Sequence, residues 1–182
     1  MHDADSDAQE TTILASGKFL RLLRRGRWEY AERVNASGAA AIVAVTGDGK
    51  LLLVEQPREP LGCSVIELPA GLVGDDPGQE DEGMGVAAGR ELEEETGYRP
   101  AKVEFLTRGP SSPGMSSERL ALFRATGLTK VGPGGGVEHE QITVHEVALA
   151  DVEGWLRARA AEGAEIDVKV WAGLYFATAG AQ

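Results

Sequence analysis

Cysteine occurs once in this chain, as Cys63, so an internal disulfide framework is excluded and a reducing cytoplasm is the expected setting. Aromatic residues make up only 5% of the sequence, and the three histidines lack metal-ligand spacing. No apolar run is long enough to span a bilayer, and the acidic start MHDADSDAQETT is unlike a secretory or organellar presequence. Basic residues are also in the minority. Eighteen Lys and Arg against 29 Asp and Glu leave a net charge of -11, which argues against nucleic acid or an anionic membrane as partner. With 42% apolar residues, 182 residues suffice for one folded unit with a sizeable core and short appendages.

What is abundant is glutamate at helical spacing. In Arg90-Glu91-Leu92-Glu93-Glu94-Glu95-Thr96-Gly97-Tyr98, the residues Glu91, Glu94 and Glu95 fall on one helix face, and Gly97 suits the position just past a helix end. An acidic helix face is ordinarily a solvated one. Here three carboxylates crowd the negative pole of the helix dipole, and a positive counterpart is required. A hard divalent cation with oxygen ligands meets that requirement.

Elsewhere the pattern divides the chain into a tail at 1–11, a β meander over 12–36 and a main unit over 37–182. The meander turns at Gly26-Arg27, and Ala39–Thr46 with Lys50–Gln56 reads as a hairpin around Gly47-Asp48-Gly49. Further strands are expected at Val65–Leu68, Ala101–Thr107, Arg119–Ala125 and Ile142–Leu149, with helices at Asp151–Ala161 and Val168–Thr178. Trp155, Trp171 and Tyr175, at helical positions, are read as core, and the glycine-rich run Val131–His139 as a mobile loop. Gly83, Gly85 and Gly89 each cost a helix about 1 kcal/mol relative to Ala, so the glutamate helix needs support from packing and bound metal.

The stretch Glu67–Tyr98 resembles the signature of the Nudix hydrolases. Glu82, Arg90, Glu91, Leu92, Glu94, Glu95, Gly97 and Tyr98 match at the family's spacing. Glu67-Leu68-Pro69-Ala70-Gly71 looks like the strand end that precedes the signature in the ADP-ribose pyrophosphatase branch. One departure is the stretch Leu72 to Asp81, ten residues where the family has five, which reads as a longer polar surface loop.

The resemblance implies an α/β fold, a Nudix-type α/β/α sandwich with a mixed sheet, and Mg2+-dependent (or Mn2+-dependent) hydrolysis of ADP-ribose to AMP and ribose 5-phosphate. It implies metal ligands at Glu91 and Glu95, with Glu94 and the Ala70 carbonyl beside them, and Arg90 orienting Glu94. Glu138 aligns with the base and Glu140 with a closing metal contact, although a base on the helix stays open. Gly134, Gly135 and Gly136 would then hinge this loop. For the substrate, Trp28 resembles the adenine-stacking tryptophan and Phe19 a second aromatic from the other subunit of a homodimer. Glu29 would accept from the adenine amino group, Arg33 and Arg58 would pair with phosphate, and Pro113, Gly114, Ser116 and Glu118 resemble the ribose-side loop. GDP-mannose or another nucleoside diphosphate sugar is the alternative substrate, and a non-catalytic ADP-ribose-binding regulator the alternative class.

Overall fold

The computed structural model describes residues 10–34, 36, 38–74, 83–136 and 141–179. Strands β1 (Thr11–Ser16), β2 (Leu20–Arg25) and β3 (Trp28–Arg33) form an antiparallel sheet, with Gly26 at φ 57° in its second turn. The meander is therefore as expected, and it begins at Thr11, inside the stretch assigned to the tail.

The body contains β4 (Gly38–Ala44), β5 (Lys50–Arg58), β6 (Cys63–Glu67), β7 (Ala70–Val73) and helix α1 (Met84–Thr96). These are followed by β8 (Tyr98–Arg99), β9 (Lys102–Pro110), β10 (Arg119–Thr126), β11 (Thr129–Lys130), β12 (Thr143–Ala148), α2 (Val152–Ala161), β13 (Glu165–Ile166) and α3 (Val168–Ala179). One four-stranded sheet runs β7-β4-β10-β9, with β4 and β10 parallel. A second runs β12-β5-β6-β13, with β13 parallel to β6.

The expected hairpin between β4 and β5 is corrected by this order. Its turn exists, closed by Thr46 N–H to Lys50 O at 2.8 Å, but the strands share only the bridge Val45–Leu51 and then part into different sheets. The composition explains the parting. Every residue of β4 is buried, so the strand needs cover on both faces rather than one.

Alternation along β4 builds the layers. Ala40, Ile42 and Ala44 pack towards α1 with Ala87, Ala88 and Leu92, while Ala41 and Val43 face the opposite core with Leu156 of α2 and Val170 of α3. The result is the α/β/α sandwich. On the second face, Glu55 accepts from His145 at 2.8 Å and from Arg159 at 3.0 Å, which ties β5, β12 and α2 together.

Helix α3 departs from the sequence reading. Val170, Gly173 and Leu174 turn inward, so Trp171 (39% exposed) and Tyr175 (66% exposed) face outward; Trp155 does pack on the core. The apolar residues encircle this helix, so its buried face cannot be told from composition.

Candidate active site

Helix α1 starts without a side-chain cap at Gly83 and carries no basic residue in its last turn. It is held instead from below and from its end. Ala87, Ala88, Leu92 and Thr96 are fully buried, and Gly85 and Gly89 lie at ordinary contact distance from Phe123, Pro100 and Val103. Packing thus offsets the poor helix propensity.

The glutamates are set against β7. Glu95 is 3% exposed and accepts the backbone N–H of Ala70 at 3.0 Å. Glu91 lies over Gly71 so closely that a Cβ there would sit 2.0 Å from the carboxyl carbon. Any residue but glycine at 71 would displace Glu91, which explains in steric terms the Ala70-Gly71 pair beside the helix. Arg90 Nη1 lies 3.0 Å from both Glu91 and Glu94, so one guanidinium holds two of the three carboxylates. The i to i+4 contact between Arg90 and Glu94 was expected; the second arm to Glu91 was not.

The end of α1 is closed by residues remote in sequence. Val131 N–H donates to Gly97 O at 2.8 Å, Gly135 N–H to Glu95 O at 2.8 Å and Gly136 N–H to Glu94 O at 3.1 Å. Lys130 Nζ reaches Thr96 O at 3.3 Å, which places one cation at the negative pole of the helix. The same ammonium sits 4.3 Å from the Tyr98 ring and 3.2 Å from Glu146. Burial, then the hydrogen bond to Glu146, push the Tyr98 hydroxyl up to about 12.

Gly97, Gly134, Gly135 and Gly136 all have positive φ. A Cβ on Gly97 would meet Gly132 O at 2.1 Å, and one on Gly134 would meet the Thr96 carbonyl carbon at 2.4 Å. The described part of the glycine-rich run is therefore bound to the helix end, not a free hinge. Glu82, Glu138, His139 and Glu140 lie outside the described residues.

Could this cluster hold a divalent cation? Its donors are oxygens, the kind a hard cation takes, and the missing Cβ of Gly71 leaves Glu91 a cradle against the backbone. Among the described residues no three His, Cys, Asp or Glu side chains form a metal cage by themselves.

A second feature lies at the N-terminal sheet. A cavity of about 370 Å3 is lined by Arg25, Trp28, Tyr30, Glu32, Pro113, Gly114, Ser116 and Ser117. The loop carrying Pro113 is pinned to β3 through Ala31 N–H to Met115 O at 2.9 Å and Ser117 N–H to Ala31 O at 3.0 Å. Trp28, Pro113, Gly114 and Ser116 are thus brought together.

Four other expected substrate residues are placed differently. Along β3 the faces alternate, so Trp28, Tyr30 and Glu32 share the cavity side while Glu29 turns away and accepts from Arg24 at 2.6 Å. Period-two counting from Trp28 points to Glu32, not Glu29, as the carboxylate on the cavity side. Arg58 is engaged by the buried Glu67 at 2.6 Å and lines a different cavity. Burial raises the Glu67 carboxyl above its ordinary value, although Arg58 opposes it. Arg33 pairs with Glu118 at 2.6 Å in an adjoining cleft.

Phe19 is 67% exposed and hydrogen-bonded through its carbonyl to Val34 N–H, at the far end of the hairpin from the Arg25–Trp28 pair. Six strand positions separate the two aromatics, about 20 Å at the usual rise. Within one chain they cannot face the same base.

The NUDIX domain model matches residues 36–166. The chain is 36% identical over 138 residues to the methanol dehydrogenase activator of Bacillus methanolicus, covering 72% of each chain. It is also 36% identical over 154 residues to the ADP-ribose pyrophosphatase of Bacillus subtilis (strain 168), covering 79% of this chain and 80% of that one. In fold it is similar to a solved ADP compounds hydrolase, with a TM-score of 0.63 and 22% identity over 81% of this chain and 80% of the other.

Proposed function

The chain belongs to the NUDIX family, and from that premise we propose that it hydrolyses the diphosphate of ADP-ribose to AMP and ribose 5-phosphate. The observation that carries the reading is the glutamate pair Glu91 and Glu95, fixed against the Ala70–Gly71 backbone with Arg90 bracing Glu94. Glu91, Glu94, Glu95, the Ala70 carbonyl and Glu140 would hold a divalent cation, Mg2+ or, in its place, Mn2+. When bound, the cation supplies charge neutralisation at the diphosphate.

The chain's own residues have separate tasks. Glu95 is fixed by the Ala70 N–H, so its remaining oxygen has a defined direction. Glu138, or Glu140 in its place, accepts the proton of the attacking water as a P–O bond forms and the anhydride bridge breaks. The Trp28 cavity takes the adenine, with Glu32 on the same face to meet its polar edge. Phe19 closes that slot from a second copy, because about 20 Å of strand separates it from Trp28 in its own chain. The assembly is then a homodimer that pairs its N-terminal sheets, and residues 12–36 are its dimerisation and adenine side.

A panel of ADP-ribose, GDP-mannose and other nucleoside diphosphate sugars, with and without Mg2+, tests the reading. AMP from ADP-ribose, in the metal-containing arm alone, is the expected result. GMP from GDP-mannose as the favoured product would move the substrate, and binding without turnover would make the chain a regulator. The name of the B. methanolicus relative adds one arm, in which the chain is added to a methanol dehydrogenase and that enzyme's rate is followed.

A further inference from the structure

Beside the Trp28 cavity lies a cleft of about 400 Å3, lined by Arg21, Glu32, Arg33, Arg108, Glu118 and Arg119 among others. It shares Glu32 and Ser117 with the cavity, so the two adjoin. Its other end reaches Gly38, which pairs with Val73 on the strand that carries Ala70 and Gly71.

Four arginines against two glutamates give this cleft an excess of two positive charges in a chain of net charge -11. The glutamates are already committed. Arg21 donates to Glu32 at 2.7 Å and Arg33 to Glu118 at 2.6 Å. Arg108 and Arg119 are different, for the side chain of neither makes a hydrogen bond or ion pair with any described residue. Twelve of the other sixteen basic side chains pair with a carboxylate among the described residues.

Register places the two close together. Arg119 pairs with Pro110 and Ala121 with Arg108, so the arginines are diagonal neighbours on one face of the β9–β10 ladder. Such positions are about 7–8 Å apart, within reach of long side chains. Two like charges there repel, and an anion with several oxygens removes the repulsion by accepting from both forks.

We propose that Arg108 and Arg119, with Arg21 and Arg33 behind them, form a binding site for a phosphate dianion that is distinct from the glutamate cluster. The dianion can be a phosphate group on a nucleotide seated in the adjoining cavity, or free inorganic phosphate. Lysine would not replace arginine fully here, because the bidentate fork matches phosphate oxygens and an ammonium does not.

Calorimetric titration of the full chain in metal-free, low-salt buffer tests this, using inorganic phosphate, AMP and adenosine as probes. Arg108→Gln/Arg119→Gln should weaken AMP about 10- to 100-fold and leave adenosine unchanged. A parallel loss for inorganic phosphate shows that the free dianion suffices, and loss for AMP alone assigns the group to the nucleotide. Arg108→Lys/Arg119→Lys should fall between wild type and the Gln pair, and it replaces that pair if the Gln variant does not fold. Equal affinity of wild type and both double variants for AMP and phosphate would overturn the site. The inorganic-phosphate arm needs neither turnover nor nucleotide, so it can succeed where the hydrolysis panel fails, and the reverse.

Discussion

The glutamate helix and the N-terminal sheet differ in how much of their own need the single chain meets. Around α1 almost everything is supplied from within. Leu92 is wholly buried, Glu95 has the Ala70 N–H, and the backbone of 131–136 takes up the last carbonyls. At β1 the reverse holds. All six residues of the strand are exposed, Ile13 and Leu14 among them, as are Phe19, Leu20, Leu22 and Trp28 beyond it. An isolated small sheet of this kind is marginal in water without cover on an apolar face. Groups that bind and turn over a charged anhydride must be held rigidly, and the helix is so held. The sheet, in contrast, presents unmet apolar surface, which a second copy of the chain would cover.

The largest effect should come from breaking the rigid side. Glu95→Gln keeps an oxygen for the Ala70 N–H but removes a charge, and kcat should fall by about 100-fold or more with the fold intact. Near-normal turnover of this variant at saturating Mg2+ would remove the glutamate pair from the chemistry. Next comes the exposed side. Trp28→Ala should raise KM about 5- to 150-fold with kcat nearly kept, the scale of one lost stacking contact. Glu32→Gln should raise KM while Glu29→Gln leaves it alone; equal effects of the two would contradict the facing of β3.

A smaller effect concerns how the two regions are joined. Burial pushes the Glu118 carboxyl up, but hydrogen bonds from Arg33 and Ser111 outweigh it and leave the group below its ordinary value. The stability this adds is present above the ordinary carboxylate range and is lost as pH falls through the lowered folded value. Glu118→Gln should therefore destabilise by about 1 kcal/mol at neutral pH, with the gap closing in acid. A gap that stays constant with pH, followed by denaturant unfolding, would show that the ion pair contributes nothing. Smallest of all, Gly89→Ala should raise stability by about 0.5–1 kcal/mol, because a Cβ there meets only ordinary contacts at 3.6 Å. A lowered unfolding midpoint would mean that α1 has no room for it.

Which parts of this were legible in the sequence follows from the range of the interactions. Glu91, Glu94, Glu95, Arg90 and Gly97 belong to one helix, and their geometry follows from 3.6 residues per turn. The β meander was equally local. What escaped were pairings between distant segments. Nothing near Gly97 announces that Gly134 will pack against Thr96, or that Lys130 will serve as the cation of a helix that ends 34 residues earlier. The parting of β4 from β5 depends on the all-buried pattern of β4, which a turn signal at Gly47-Asp48-Gly49 conceals. Glu32 follows from alternation along β3, four residues past Trp28 on the same face, whereas Glu29, adjacent to Trp28 in sequence, lies on the opposite face.

The claim that a second copy completes the exposed side is tested most directly by mixing two crippled proteins. Trp28→Ala and Phe19→Ala proteins are each prepared, combined under conditions that allow subunit exchange, and assayed on ADP-ribose at low concentration. If the slot takes Trp28 from one copy and Phe19 from the other, half of the dimers are mixed and each mixed dimer has one intact slot. About a quarter of the sites should then regain the wild-type KM. No recovery, in a mixture shown by mass to have exchanged, would contradict the shared slot and leave the N-terminal sheet an appendage of a self-sufficient chain.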